Sequence, residues 1–436
     1  MTNLDIGLSG LGVLVAMIAL RVPIGVALLS VSFVGIWLVA GDRAAWGLLR
    51  GIPYSFAANW TLSSVPMFLL MGFICYHAGI TKGLFNAARL WLSRLPGGLA
   101  VSAVFGAAGF AAVTGSSVAC AAAMGRIAVP EMIRYRYDPA LATGTVAAAG
   151  TIGALIPPSI LLIIYGLFAQ TPISHLFVGG FSAGILTLLG YVLVIMVRAK
   201  LNPALAPPLE ERPSFREKVY VLRDVWPVAL LIIGVFGGLL SGLFTATEAG
   251  GVGAALAIII GLARRSLSYA GIKNSVVETI VTSAAIFFIS IGASMLTRFL
   301  AFSGVGAFLT DLIVGLGLDH FLLMLGISIL YLLLGMFLEP IGAMLLTLPV
   351  VLPIIQAADL NLIWFGVVLV KFLEIGMITP PIGLNVFVIK GVVGNLASTT
   401  NIFRGIMWFL CADLVIIVIL MVFPDIILFL PSLLNR

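Results

Sequence analysis

Oxygen-bearing side chains and free backbone groups gather at four interruptions of an otherwise apolar sequence. Two interruptions are proline pairs. Pro157-Pro158 is followed by Ser159, and Pro380-Pro381 lies between Thr379 and the run Gly383-Leu384-Asn385. A proline has no amide donor and breaks the helical ladder, which frees carbonyl oxygens. Within a bilayer such a break persists only where protein or a water-filled cavity satisfies the freed groups. Unwound carbonyls, with the neutral oxygens of Ser159, Thr379 and Asn385 nearby, suit a hard cation such as Na⁺. The other two interruptions are turns, Thr114-Gly115-Ser116-Ser117 and Phe337-Leu338-Glu339-Pro340. Gly115, Ser116 and Ser117 open a helix. Its free N–H groups and positive dipole end suit a carboxylate, and its carbonyls and hydroxyls suit Na⁺. Glu339 is a carboxyl beside a turn in apolar sequence, where ionisable groups are costly. It binds Na⁺ or a proton, or sits at a wet tip. Glu374, one turn before the second proline pair, invites the same reading.

Besides Ser116, Ser117, Ser159 and Asn385, three more residues are candidates for the substrate. Ser290 and Ser294 lie one helical turn apart and line one face. Arg298 ends the same segment, as a snorkelling boundary residue or as an anion clamp. Thr245-Ala246-Thr247-Glu248 reads more simply, as a helix cap with its acidic first turn. Cys75, Cys120 and Cys411 are scattered, as are His77, His175 and His320, so neither set forms a metal spacing or a disulfide framework. No phosphate-binding glycine loop and no nucleophile elbow occurs. No enzyme is expected, and ATP hydrolysis by this chain is not the driving force.

The elements that must position these residues are membrane helices. Of 436 residues, 61% are hydrophobic and 9% charged, against roughly 25% charged in soluble domains. The long, unalternating apolar runs favour helices over a barrel. The net charge of +6 lies between apolar runs and reads as topology signal, not as a nucleic-acid surface. No Lys or Arg precedes Arg21, so the first run reads as a retained membrane segment.

The proline pairs lie 223 residues apart, as do Gly153 and Gly376. The same shift carries 3–17 onto 226–240 and 59–77 onto 282–300. We therefore expect two repeats, 1–198 and 226–436, joined by a hydrophilic connector at 199–225. Each repeat holds a short re-entrant hairpin (98–133 and 320–357) and a broken helix (139–169 and 361–395). The first hairpin is flanked by Lys82, Arg89, Arg94, Arg126, Arg134 and Arg136, the second by Asp311, Asp319, His320 and Asp359. Basic flanks stay cytoplasmic. The hairpins then enter from opposite faces, the connector is cytoplasmic, and the repeats have inverted topology. Segments 43–58, 81–94 and 266–281 mix charged and apolar residues, as helices lying in the interface plane do. In 81–94, Leu84, Phe85, Ala88, Trp91 and Leu92 share one face, opposite Lys82, Asn86, Arg89 and Ser93.

At these residues the chain resembles the large membrane subunit (DctM type) of tripartite ATP-independent periplasmic (TRAP) transporters. The resemblance spans nearly the whole chain. It is carried by Pro66 through Gly72, Thr114 through Ala119, Gly153 through Ser159, Thr245 through Ala249 and Thr379 through Asn385. It implies an elevator-type secondary transporter of the bacterial inner membrane that imports organic acids on the Na⁺ gradient. It further implies a periplasmic substrate-binding P subunit and a small four-helix Q subunit as a separate chain. By analogy, one Na⁺ site lies near Gly115, Ser116, Ser117 and Pro157. Another lies near Glu339, Thr379, Pro380 and Gly383. Two rival readings are a stand-alone Na⁺/carboxylate symporter and an uncoupled channel or scaffold.

Overall fold

The computed structural model describes residues 2–208, 213–317 and 319–434, so part of the expected connector, 209–212, lies outside them. Every regular element among the described residues is helical. The first half contains α1 (Asn3–Ala19), α2 (Ile24–Ala40), α3 (Asp42–Ala57), α4 (Ser64–His77) and α5 (Lys82–Leu92). It continues with α6 (Gly98–Thr114), α7 (Ser117–Arg134), α8 (Pro139–Thr151), α9 (Ile160–Ala169) and α10 (Ile173–Leu201). Across the connector come α11 (Phe215–Tyr220), α12 (Trp226–Ile232), α13 (Gly238–Leu240), α14 (Ala246–Ala263) and α15 (Tyr269–Ser303). The rest are α16 (Val305–Gly315), α17 (His320–Phe337), α18 (Pro340–Ala357), α19 (Leu362–Gly376), α20 (Leu384–Val393), α21 (Thr399–Val422) and α22 (Asp425–Leu433). Seven helical segments, including α10, α14, α15, α17, α18 and α21, are long and apolar enough to cross a membrane by themselves.

Local sequence sets the ends of these helices. Asp138 caps α8 by accepting from the Leu141 amide at 2.8 Å, with Pro139 at the first helical position. Asp319 caps α17 in the same way at 2.7 Å, and Pro340 opens α18. Thr245 and Glu248 form a capping box, in which the Glu248 carboxylate accepts from the Thr245 amide at 2.8 Å. That is the simpler of the roles open to this stretch.

Small residues let the helices pack closely. A methyl at Gly144 of α8 would lie 2.5 Å from the Gly405 carbonyl carbon of α21. Helix α2 lies along α15, and α14 lies along α4. Helices α6 and α8 form the buried centre: only Phe105, Gly109 and Pro139 in them are not buried. On the outside, α15 and α17 present Val277, Ile280, Phe288, Leu322, Ile329 and Leu333, a surface suited to lipid. Helices starting at 82 and 305, at 117 and 340, and at 139 and 362 are each 223 residues apart.

The structure corrects four sequence expectations. Segment 266–281 is not a separate interfacial helix but the first half of the 35-residue α15. No proline or helix break separates the two parts. A buried stripe of Gly271, Ser275, Thr279 and Ser283 runs straight through the junction. The run 226–242 is not one even helix. A π turn at Ile233–Gly237 joins α12 to α13. Arg89 of α5 does not keep to a solvent face, because its guanidinium meets the Glu131 carboxylate of α7 at 3.0 Å. Trp91 leaves the apolar face instead, and its indole donates to the Lys218 carbonyl at 2.9 Å. Beyond the last expected run, Pro424 ends α21, and the short helix α22 follows.

Candidate functional site

The first tip is a backbone device. Helix α6 stops at Gly115, whose φ of +63° belongs to the left-handed region. A methyl group there would collide with the Pro158 carbonyl oxygen. At Gly153 it would lie 3.0 Å from the Ser116 carbonyl oxygen and 3.1 Å from the Ser117 Cα. The tip between α6 and α7 is therefore seated in the break between α8 and α9. Ser116 is the cap of α7, its Oγ accepting from the Ala119 amide at 3.4 Å. Ser159 is fully buried and caps α9, accepting from the Leu162 amide at 3.3 Å. Pro157-Pro158, like Pro380-Pro381, is a cis peptide.

The second tip is built differently. Leu338 is extended, and Glu339 precedes α18 with no capping bond and an exposed side chain. At the second break, Thr379 Oγ1 donates back to the Ile375 carbonyl at 2.7 Å. The Asn385 amide donates to the Met377 carbonyl at 3.1 Å. Gly383 is buried with φ +58°, while Pro380 is half-buried. The Asn385 side chain is fully buried, and neither its Oδ1 nor its Nδ2 has a hydrogen-bond partner. A buried amide with both functions free is ready to hold a polar ligand.

Both tips face one small cavity of about 70 Å³. Gly115, Ser116 and Ser117 line it from the first half, Glu339 and Met377 from the second. The structure thus brings Glu339 to the first tip. Thr379, Pro380, Gly383 and Asn385 are not among the residues lining this cavity. A volume of this size takes small ions or waters, since a water needs about 10–15 Å³ by the same measure.

Larger openings lie beside α9 and α15. A cavity of about 450 Å³ is lined by Ser55, Asn59, Gln170, Ser294, Thr297 and Arg298. From Gln170 and Thr297 it adjoins a second of about 300 Å³, reaching Pro353 and Gln356 of α18. From Asn59 and Gln170 it also adjoins a depression of about 740 Å³ over Thr245 and Thr247. Ser294 and Arg298 line the first of these, and Arg298 is exposed there. Ser290, one turn earlier, is buried and is not among the lining residues.

Buried polar residues join the two halves, Ser117 and Glu374 among those the sequence pointed to and Lys371, Asp413, Tyr191 and Thr151 outside that set. Ser117 Oγ donates to Glu374 Oε1 at 2.7 Å, joining the first tip to the second broken helix. Lys371 Nζ meets Asp413 Oδ1 at 2.5 Å, with both residues fully buried. Tyr191 donates to Asp413 Oδ2 at 2.8 Å, and its oxygen lies 3.1 Å from Thr151 Oγ1. Lys371 and Asp413 could have been flagged as lone charges inside the apolar runs 361–395 and 401–423. Their pairing could not, because it joins helices far apart in sequence.

An all-helical polytopic bundle whose interrupted helices meet around a small oxygen-bearing cavity has the architecture of a membrane transporter. The chain belongs to the family of the DctM component of the tripartite ATP-independent periplasmic transporters, whose family model matches residues 11–426. It is similar to the C4-dicarboxylate TRAP transporter large permease protein DctM of Pseudomonas aeruginosa. The two are 33% identical over 376 residues, 86% of this chain and 87% of the relative. It is also similar to the sialic acid TRAP transporter large permease protein SiaM of Vibrio cholerae, 30% identical over 415 residues, 94% and 95% of the two chains. In fold it matches the YdaH transporter of Alcanivorax borkumensis. The TM-score is 0.62 at 16% identity, over 88% of this chain and 89% of that one. The chain is a multi-pass membrane protein and the large permease component of a TRAP transporter.

Proposed function

We propose that this chain is the Na⁺-driven transport subunit of an importer of organic acids in the bacterial inner membrane. A periplasmic binding protein delivers the substrate, and a small four-helix Q subunit completes the membrane part. The observation that carries this reading is the convergence of both tips on one cavity sized for ions, beside larger openings sized for an organic acid. The carbonyl at Gly115, the hydroxyls at Ser116 and Ser117, and the Glu339 carboxylate are oxygen donors of the kind Na⁺ takes. Arg298, on the wall of the 450 Å³ cavity, supplies positive charge for a substrate carboxylate. Ser294 and Thr297 supply hydroxyls on the same wall.

In this reading the two halves are inverted repeats. The 223-residue recurrence of helix starts supports it, as does the exchange of α2 on α15 for α14 on α4 under the same shift. The hairpins and broken helices move as one body against a scaffold that includes α2, α4, α14 and α15. Na⁺ and substrate drive this motion only through unequal affinity for its two end states. The relatives' names carry different acids, C4-dicarboxylate and sialic acid. That spread fits selectivity residing in the binding protein.

The test is reconstitution into liposomes under an inward Na⁺ gradient. With both partner proteins added, the chain should accumulate the acid that its binding protein holds, and K⁺ should not replace Na⁺. Uptake by the chain alone would favour the stand-alone symporter. Downhill flux without accumulation would favour a channel.

A further inference from the structure

Helix α19 reaches into the first half at two points. Its residues from Trp364 to Gly376 are all buried, and they include Lys371 and Glu374, one turn apart on one face. Glu374 Oε1 accepts from Ser117 Oγ at 2.7 Å, while Oε2 has no hydrogen-bond partner. Lys371 donates to Asp413 Oδ1 at 2.5 Å, and Tyr191 donates to Asp413 Oδ2 at 2.8 Å. The Tyr191 oxygen lies 3.1 Å from Thr151 Oγ1, whose one proton is divided between it and the Ala148 carbonyl 2.7 Å away. Thr151 is the last residue of α8, directly before the first break. One helix of the second half therefore holds the tip of the first half through Glu374. Through Lys371, Asp413 and Tyr191 it also reaches the residue before the first break. Under the 223-residue shift, Thr151 and Glu374 occupy corresponding positions.

Burying these charges is costly unless geometry and hydrogen bonds compensate. A bundle of this kind would pack with apolar residues here at less cost, so a role beyond packing is indicated. We propose that Lys371 and Glu374 are positioning residues: they fix the Ser117 tip and the Thr151 end of the break in register. The ion site between that tip and break then keeps its geometry only while α19 is in place. This links the ion sites of the two halves, because α19 also leads directly into Thr379 and the second break. The inference rests on the Na⁺ reading above, and its test separates the two.

The experiment follows the unfolding temperature of the purified full-length chain in detergent as Na⁺ is titrated, with K⁺ as the control. Wild type should be stabilised by Na⁺ alone. Glu374→Leu removes the acceptor for Ser117 and should raise the Na⁺ midpoint about tenfold, the effect of one buried hydrogen bond. Glu374→Gln keeps an acceptor oxygen of the same reach and should restore the midpoint to within about twofold. Tyr191→Phe keeps the ring and the Lys371–Asp413 pair and removes the hydroxyl that bridges Asp413 Oδ2 to Thr151. It should raise the midpoint. If Glu374→Leu fails to fold, Tyr191→Phe decides. A wild type indifferent to Na⁺ defeats the functional reading itself. A responsive wild type with Tyr191→Phe and Glu374→Leu titrating identically to it overturns the positioning role.

Discussion

The two tips of this molecule occupy corresponding places in the sequence and very different surroundings. The first is sealed: α6 and α8 are almost entirely buried, and Gly115 presses against the Pro158 carbonyl. The second is open. Helix α17 is buried only along the stripe Leu323, Met324, Ile327, Ser328, Tyr331 and Gly335. Phe337 and Glu339 at its tip are exposed, as are Pro381 and Ile382 at the break. The first tip presents its backbone from a packed cradle. The second offers a carboxylate on a less constrained element, and segments with few buried contacts are those that open most readily. Two similar interruptions thus yield one packed tip and one exposed tip.

Substitutions can break or sharpen this contrast. The largest effect is expected at the sealed tip. Gly115→Val forces a β-branched residue to φ +63° and into the Pro158 carbonyl, a strain of at least about 1–3 kcal/mol before the collision. Na⁺-driven uptake should fall by about 100-fold or more. Leu338→Ala, at the corresponding place in the open tip, should keep uptake within about threefold. Equal losses in the two variants would erase the distinction.

Next comes the buried pair that stands behind the sealed half. Lys371→Ala leaves Asp413 buried with its charge uncompensated, and should cost about 3–5 kcal/mol of stability in thermal unfolding. The double variant Lys371→Met/Asp413→Leu should recover most of that loss, since apolar replacements of a buried pair are often neutral. A double variant no more stable than the single one would show that the charges are not the cause.

At the open tip, Glu339→Gln keeps the shape and removes the charge, so the Na⁺ half-saturation of uptake should rise about tenfold. At the sealed tip, Ser116→Ala removes both the cap of α7 and one oxygen of the proposed ion site, so it should cost about 1 kcal/mol of stability and raise the Na⁺ half-saturation as well. An unchanged Na⁺ dependence in Glu339→Gln would remove Glu339 from the ion site. The smallest effect is expected in the vestibule. Arg298→Gln should raise the KM for uptake about threefold at low ionic strength, and less in high salt, where exposed charges are screened. A salt-independent change would point to packing instead.

Much of this architecture is legible along the chain. The apolar runs, the proline pairs and the Thr245–Glu248 cap mark helix ends by local chemistry, and the structure has helix ends there. The same local logic misjudged 266–281, because charged residues at a helix end look alike whether the helix stops or continues. It also misplaced Trp91 and Arg89, whose partners Lys218 and Glu131 lie in other segments. Ser116 and Ser159 were legible as polar groups at interruptions, but their use as helix caps depends on backbone angles at single residues.

The amino-acid sequence alone determined that this is a helical membrane protein, where its helices break, and that the breaks occur twice. Those properties follow from hydrophobic length and from proline's missing donor, which act within a few residues. Only the tertiary structure decided that Glu339 faces Ser116, that Glu374 holds Ser117, and that Lys371 reaches Thr151 through Asp413 and Tyr191. Such partners are set by which helix faces pack together. Packing is a property of the whole bundle, and no local stretch of sequence contains it.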